Sequence, residues 1–363
     1  MMRPVRTAAA AASASVLAFS LAACGSEANS GVISNDIVVG LLLPDREAAR
    51  YEKFDRPVIE DKVSRLTIGE GKVVYANANQ DAALQALQVE NMIRDEVDVL
   101  ILDAVDAKAI AGSVAKAEKA GIPVVAFDRL AEGPIDAYTS FDNEDVGHVQ
   151  GKALLKALGD KAKGGRIVMV NGALTDPNAA LFKKGAHAEL DGKVTVGKEY
   201  DTDEWSPKNA EANMKAAIEE LGGAAAIDGV YSANDGMAGG VIAALKAAGV
   251  TELPPVTGQD AELAAVQRIV SGEQYMSVYK PYAPEAAAAA EMAVALAKGE
   301  SLTTVAQTHV DSPTTKDIPS VLVPVIALTQ ANIEETVIRD GIYTADEICT
   351  GKYAAACAEL AIG

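Results

Sequence analysis

The chain has 363 residues, of which 49% are hydrophobic, 23% charged and 4% aromatic, and its formal net charge is -19. That length fits two domains of roughly 150 residues each, and the hydrophobic fraction excludes a disordered chain. The acidity excludes a nucleic-acid partner, because binding phosphates requires a concentrated basic surface.

The N-terminus reads as an export signal. Arg3 and Arg6 precede an Ala-rich apolar run from Ala8 to Ala23, and small residues lead into "LAAC" at Leu21 to Cys24. The run is shorter than the ~20 residues that span a bilayer, so residues 1–23 are predicted to be a cleaved signal peptide and not a retained anchor. Leu-Ala-Ala-Cys resembles a bacterial lipobox, which makes Cys24 the expected lipidated residue that holds the mature protein to the membrane. The polar stretch 24–35 is a predicted tether. Two cysteines remain, Cys349 and Cys357. An exported chain permits a disulfide between them, with two free thiols as the alternative.

After the tether, short apolar runs alternate with Ala-rich helical stretches: "DIVVGLLL", "KVVYAN", "DVLILDAV", "IPVVAFD", "RIVMVNG", "DGVYSAND" and "PPVTGQD". Unbroken Val/Ile/Leu runs are typical of strands buried on both faces, and helices between them imply parallel crossovers. The predicted class is α/β with doubly wound sheets. A weak internal repeat adds detail. "DVLILDAV", a helix and "KAGIPVVAFD" are echoed by "DGVYSAND", a helix and "KAAGVTELPPVTGQD", with the same Pro-to-Asp spacing at Pro123 to Asp128 and Pro255 to Asp260. Two similar βαβ units in separate halves imply two lobes of similar fold.

Open α/β sheets bind ligands beyond the carboxyl ends of their strands. Here those ends carry Asp103, Asp128 with Arg129, Asn143, Asn171, Asn234 with Asp235, and Gln259 with Asp260. Carboxylates only accept hydrogen bonds, Arg and Lys only donate, and Asn does both, so the set satisfies hydroxyls that must donate and accept at once. That is the logic of a sugar site. Trp205, the only tryptophan, sits in the polar stretch "DTDEWSPKN" with no packing period to explain it; its flat ring suits the C–H face of a pyranose, and Tyr51 suits the opposite face. Nucleotide-binding and serine-hydrolase motifs are absent, the three histidines are scattered, and neither a metal nor a cofactor is expected. Asp128 and Asp260 as a glycosidase pair is the weaker reading.

Seven stretches in order, "QVENMIRDEVDVLIL", "GIPVVAFDRL", "YTSFDNEDVG", "DPNAALFKKGA", "SANDGMAGG", "GQDAELAAVQRIVSGEQYMSVYKP" and "DIPSVLVPV", resemble the D-xylose-binding proteins of bacterial ABC importers and the multiple-sugar-binding receptors of the same type I superfamily. The likeness runs from about Asp36 to about Tyr343. It implies two Rossmann-like lobes joined by a three-segment hinge, with crossings near Asp142, Lys280 to Pro281, and Ser320 to Leu322. The N-terminal lobe would comprise 36–142 plus 281–320, the C-terminal lobe 143–280 plus 321–343, and 344–363 would be a tail beyond the family pattern. The implied ligand contacts are Arg50, Asp128, Arg129, Asn178, Lys183, Trp205, Asn234, Asp260 and Lys280, with Arg46, Tyr51, Asn143 and Asp235 as secondary candidates. An extra residue in "PDREAARYEKFDR" leaves Arg46 and Arg50 both open. Tyr51 replaces the usual Trp, and Lys183 stands where xylose binders tend to have Arg, losing a planar two-point fork.

The resemblance implies a monomeric, non-enzymatic lipoprotein that carries a monosaccharide, D-xylose foremost, to an ABC permease. A broader receptor for galactose, glucose or arabinose that also feeds chemosensing is the alternative. A sugar-responsive repressor would need a DNA-binding helix-turn-helix where the export signal lies, and a sugar-modifying enzyme would turn over a pentose. On sequence grounds Asp128→Ala is expected to abolish sugar binding and leave the fold intact, as read by calorimetric titration beside circular dichroism.

Overall fold

In the computed structural model, which describes residues 35–46 and 48–363, most of the apolar runs become strands covered on both faces, while Lys72–Asn77 forms a partly exposed edge strand. The expected signal peptide, Cys24 and all of the tether but its last residue lie outside the described residues. In chain order the strands are β1 (Val38–Leu43), β2 (Lys72–Asn77), β3 (Val99–Leu102), β4 (Val124–Phe127), β5 (Ala137–Phe141), β6 (Arg166–Asn171), β7 (Thr195–Asp201), β8 (Gly229–Ser232), β9 (Ser277–Tyr279), β10 (Thr308–Val310), β11 (Ile318–Val323) and β12 (Ile326–Leu328). Seven form one sheet in the order β10-β11-β5-β4-β3-β1-β2, parallel except for β10 at the edge. A second parallel sheet has the order β7-β6-β8, and β9 pairs antiparallel with β12.

Alternation within each strand divides the larger core. Val39, Leu41, Leu43, Val99, Ile101, Val125 and Phe127 face the helices Arg56–Leu66 and Tyr282–Ala297. Leu42, Leu100, Leu102, Val124 and Ala126 face Ala82–Arg94 and Ala111–Lys119. Each such Val, Leu, Ile or Phe side chain contributes about 1.5–3 kcal/mol when fully buried, so these runs cannot slip by one residue.

The run "PPVTGQD" does not form a regular strand. Val256 makes a single bridge to Val230 and Gln259 one to Val278. Pro254 and Pro255 bring no N–H, so the segment pairs through the Pro255 carbonyl, which accepts from Val230 N at 2.9 Å, and through Thr257 N, which donates to Val230 O. These few bonds still join β9 and β12 to the second sheet.

The chain passes between the sheets three times. It does so at Asp142 after β5, at 280–281 after β9, and at 324–325 between β11 and β12. The third crossing falls later than the expected boundary after residue 320, because Val321, Leu322 and Val323 still pair with Thr139, Ser140 and Phe141. Beside the first crossing, Asn143–Leu158 and Pro177–Leu190 cross at two glycines. A Cβ on Gly147 would overlap the Phe182 carbonyl, and one on Gly185 the Glu144 carbonyl. This close approach sets the depth of Asn178 and Phe182.

The C-terminal residues, a tail beyond the family pattern in sequence, are part of a core. Tyr343, Ile348 and Cys357 are buried with Val266, Ile269 and Val337, and Gln267 Nε2 donates to the Glu347 and Ile348 carbonyls. Cys349 and Cys357 are bonded, with Cα atoms 5.8 Å apart. The same segment reaches the other side of the molecule: Lys53 Nζ lies 4.5 Å from the Tyr343 ring centre and 3.8 Å from Glu347 Oε1. Closing so short a loop restricts the unfolded chain by about 2–3 kcal/mol. Replacing both cysteines with Ser is therefore expected to lower unfolding stability by about that amount in a urea titration.

Candidate functional site

Two strand ends build the site, and they are built alike. Beyond β4, Asp128 takes a left-handed backbone (φ 56°); beyond the Val256–Gln259 segment, Asp260 does the same (φ 92°). Asp128 N donates to Thr139 O and Asp260 N to Val278 O, both at 2.9 Å. Each aspartate's carbonyl accepts a tyrosine hydroxyl, Tyr138 for Asp128 and Tyr282 for Asp260. A left-handed conformation costs an ordinary L-residue about 1–2 kcal/mol, and Asp and Asn are the side chains that tolerate it best. Here it turns both carboxylates off the sheet ends into one cavity.

Arg50 lies at the start of a helix whose next turn, Tyr51–Asp55, is π-helical before Arg56–Leu66 continues it. Its buried guanidinium donates to Asp55 Oδ2 (2.7 Å), Asp128 Oδ2 (3.2 Å) and Glu285 Oε2 (2.5 Å) and stacks 4.6 Å from the Tyr282 ring centre. Burial alone would lower its pKa; Asp55, Glu285 and Asp128 outweigh burial and hold it well above the usual value. Burial pushes the Asp55 and Glu285 carboxyls up, with Arg50 opposing. Asp128 goes the other way: burial pushes it up, but Arg50, Lys280 and Arg129 together bring it below the usual range.

Arg129 is the second buried cation. Its Nε lies 3.1 Å from Asp176 Oδ2 and 3.6 Å from Asp103 Oδ1, its Nη2 lies 3.9 Å from Asp45 Oδ2, and its Nη1 donates to Ala104 O. Neither its Nε nor either Asp103 oxygen completes a hydrogen bond among the described residues. Burial drives the Asp103 carboxyl well up.

These groups surround a cavity of about 140 Å³ lined by Arg50, Tyr51, Asp128, Arg129, Asn178, Trp205, Asn234, Asp260 and Lys280. The volume is below the ~300–1,000 Å³ of sites for drug-sized ligands, which limits the occupant to a small solute. Lys280 Nζ sits 3.1 Å from Asp260 Oδ1. Asn178 Nδ2 donates to Asp128 Oδ1, and Asn234 caps the helix Asp235–Ala247 through Met237 N. Trp205 packs edge-on to Phe182, with ring centres 6.2 Å apart, and lies so close over Gly172 that any Cβ there would enter the indole. Gln80 Nε2 donates to Glu204 O (3.4 Å) and Ala107 N to Thr175 O (3.1 Å), joining the two sides beside the cavity.

Four expected residues lie elsewhere. Lys183 points away and pairs with Glu199 at 2.7 Å and Asp201 at 3.4 Å; Phe182, one position earlier, faces the cavity instead. Asn143 stands behind the site and donates to Asn178 Oδ1 and Ser140 Oγ. Asp235 is buried under the loop, accepting from Gln274, Ser277 and Glu262 N. Arg46 is exposed at the outer mouth, 3.4 Å from Glu52, so Arg50 is the arginine that enters. The sequence reading missed Asp45, Gln80, Asp176, Phe182, Glu204 and Glu262, all of which line the cavity. Only Asp176 left a signal: "DPN" is a helix start, and its side chain accepts from Asn178 N. Among the described residues no group of His, Cys, Asp and Glu is arranged to hold a metal ion.

The model of the periplasmic binding protein domain matches residues 39–301. This chain belongs to the periplasmic binding protein family. The family comprises solute-binding receptors, not enzymes, and this binding protein has its type I fold. It is 36% identical to the D-xylose-binding periplasmic protein of Haemophilus influenzae, over 88% of this chain and 94% of the relative, and 36% identical to that of Escherichia coli, over 87% and 93%. It is 30% identical to the multiple sugar-binding periplasmic receptor ChvE of Rhizobium radiobacter, over 85% and 92%. Among solved structures, an ABC transporter solute-binding protein of Clostridium phytofermentans with bound β-D-glucose superposes with a TM-score of 0.78 at 29% identity, covering 86% of this chain and 99% of that one.

Two outcomes follow for stability. Asp128→Ala removes the acceptor shared by Arg50, Tyr51 and Asn178 and places Ala in left-handed backbone, so a loss of about 2–4 kcal/mol is expected in denaturant unfolding even where the fold is kept, and less for Asp128→Asn. Burial raises the carboxyls of Asp235 to about 7 and Glu262 to about 8. From the ordinary carboxylate range up to those values the folded protein holds protons that the unfolded chain has released, so stability falls as pH rises. The melting temperature is expected to be lower at pH 8 than at pH 5.5.

Proposed function

We propose that this binding protein captures a single monosaccharide, D-xylose foremost, between two lobes and delivers it to an ABC permease. One observation carries the reading. The small cavity presents carboxylates that are already paired with cations, Asp128 with Arg50 and Asp260 with Lys280, between the rings of Tyr51, Phe182 and Trp205. Such pairs offer acceptors and donors to neutral hydroxyls without leaving a net charge to neutralise, and the rings supply apolar walls. Arg50, Tyr51, Asp128, Arg129, Asn178, Trp205, Asn234, Asp260 and Lys280 are the proposed contacts. The names of two relatives at 36% identity, both D-xylose-binding periplasmic proteins, support xylose.

The proposed lobes are 36–142 with 281–323, and 143–280 with 324–363. Opening about the three crossings exposes the cleft, and a sugar that touches both sides favours the closed form. A broader monosaccharide range is the second reading, favoured by the glucose bound in the Clostridium phytofermentans structure. The family is exported to the periplasm. Arg3, Arg6 and the Leu21–Cys24 stretch support the further proposal that residues 1–23 are removed and Cys24 is lipidated.

Calorimetric titration with D-xylose, D-glucose, D-galactose and L-arabinose tests the reading. D-xylose is expected to bind most tightly, Asp128→Asn to weaken it about 100-fold, and Trp205 fluorescence to change on binding. Binding of none of the four sugars would falsify the proposal.

A further inference from the structure

Every other charged side chain proposed to touch the sugar has a counter-ion, but Glu262 has none. Its carboxylate lines the cavity and makes no hydrogen bond or ion pair among the described residues. It lies over Gly236 at the start of the helix Asp235–Ala247, where a Cβ on Gly236 would sit 3.8 Å from Glu262 Oε1. The surroundings disfavour a negative charge there. Asp260 is two residues away, Asp235 comes from the facing helix, Asp45 comes from the loop after β1, and the buried Tyr343 packs from the C-terminal segment. The cation that most opposes this is Arg268, which spends its Nε on Gln274 (3.0 Å) and its Nη2 on Asp235 O (2.8 Å), while Arg50 and Lys280 on the same cavity wall are paired with Asp128 and Asp260. The helix start pulls the other way, but Asn234 already takes its Met237 N–H.

We propose that Glu262 is a further ligand-contacting residue, which acts in its neutral form and donates its carboxyl proton as a hydrogen bond to an oxygen of the bound sugar. The proposal rests on the monosaccharide reading above. It gives the site a donor on the side where Asp260 supplies only acceptors, and it gives a half-buried acid without an ion-pair partner a reason to be retained. Burial, with Asp235 and Asp260, raises this carboxyl to about 8. Only the protonated receptor is then fully competent, and the apparent dissociation constant is the intrinsic one divided by the competent fraction, so affinity falls with that fraction.

The test is titration of D-xylose and D-glucose at pH 6, 7, 8, 9 and 9.5 with the intact protein and with Glu262→Gln and Glu262→Ala. Wild-type affinity is expected to be level below about pH 7.5 and to fall by close to tenfold per pH unit above about 8. Glu262→Ala is expected to bind about tenfold more weakly at pH 6. Glu262→Gln, whose amide keeps a donor, loses less than Ala and no longer shows the fall above pH 8. Wild-type affinity in Glu262→Ala, an alkaline fall of equal size in Glu262→Gln, or wild-type affinity that rises with pH would each overturn the assignment while leaving sugar binding intact. Failure of the wild-type protein to bind either sugar at pH 6 would instead overturn it together with the monosaccharide reading.

Discussion

The arrangement turns on one guanidinium. Arg50 is held by Asp55 from its own helix, by Asp128 from the end of β4 and by Glu285 from the helix Tyr282–Ala297. A buried ion cluster gains little net stability over an apolar core, because desolvation consumes most of the Coulombic gain, yet removing one partner strands the others at a cost of about 3–5 kcal/mol. The cluster therefore contributes position more than energy. It fixes the Asp128 carboxylate and the Tyr51 ring against the helix that follows the crossing at 280–281 and packs on the seven-stranded sheet. Arg129 repeats the device less completely, among Asp45, Asp103 and Asp176, and its Nε and both Asp103 oxygens stay buried without a hydrogen bond among the described residues.

Much of this was legible in the chain. The strands declared themselves because a parallel sheet covered on both faces admits no polar alternation, and the strand-end rule then singled out Asp128, Arg129, Asn234 and Asp260. Trp205 was legible through its isolation in a polar stretch. What failed did so for local reasons. Lys183 and Phe182 differ by one residue, which on a helix is a rotation of about 100° and the difference between Glu199 and the cavity. Asp45, Gln80 and Glu262 lie on loops, where no period announces which way a side chain turns. The third crossing was misplaced because the apolar run of β11 continues past residue 320 with no break to mark it.

The C-terminal segment, a tail beyond the family pattern in sequence, joins two parts of the molecule. Its disulfide and Ile348 anchor it on the helix Leu263–Val270, while Tyr343 and Glu347 meet Lys53 and Phe54, which follow Arg50 and Tyr51 on the same helix. These contacts lie on the outer side of the helix whose inner side carries the site.

The left-handed backbone at Asp128 and Asp260 has a consequence for how such a receptor can diverge. Only Asp, Asn and Gly sit in that conformation cheaply, so each position has an alphabet of about three letters. Two of those letters remove the charge that pairs with Arg50 or Lys280, and one removes the side chain altogether. New ligand preferences are therefore reached most easily by changing the residues around this fixed pair, such as Tyr51, Phe182 and Glu262, while the two aspartates persist as the frame to which those changes are fitted.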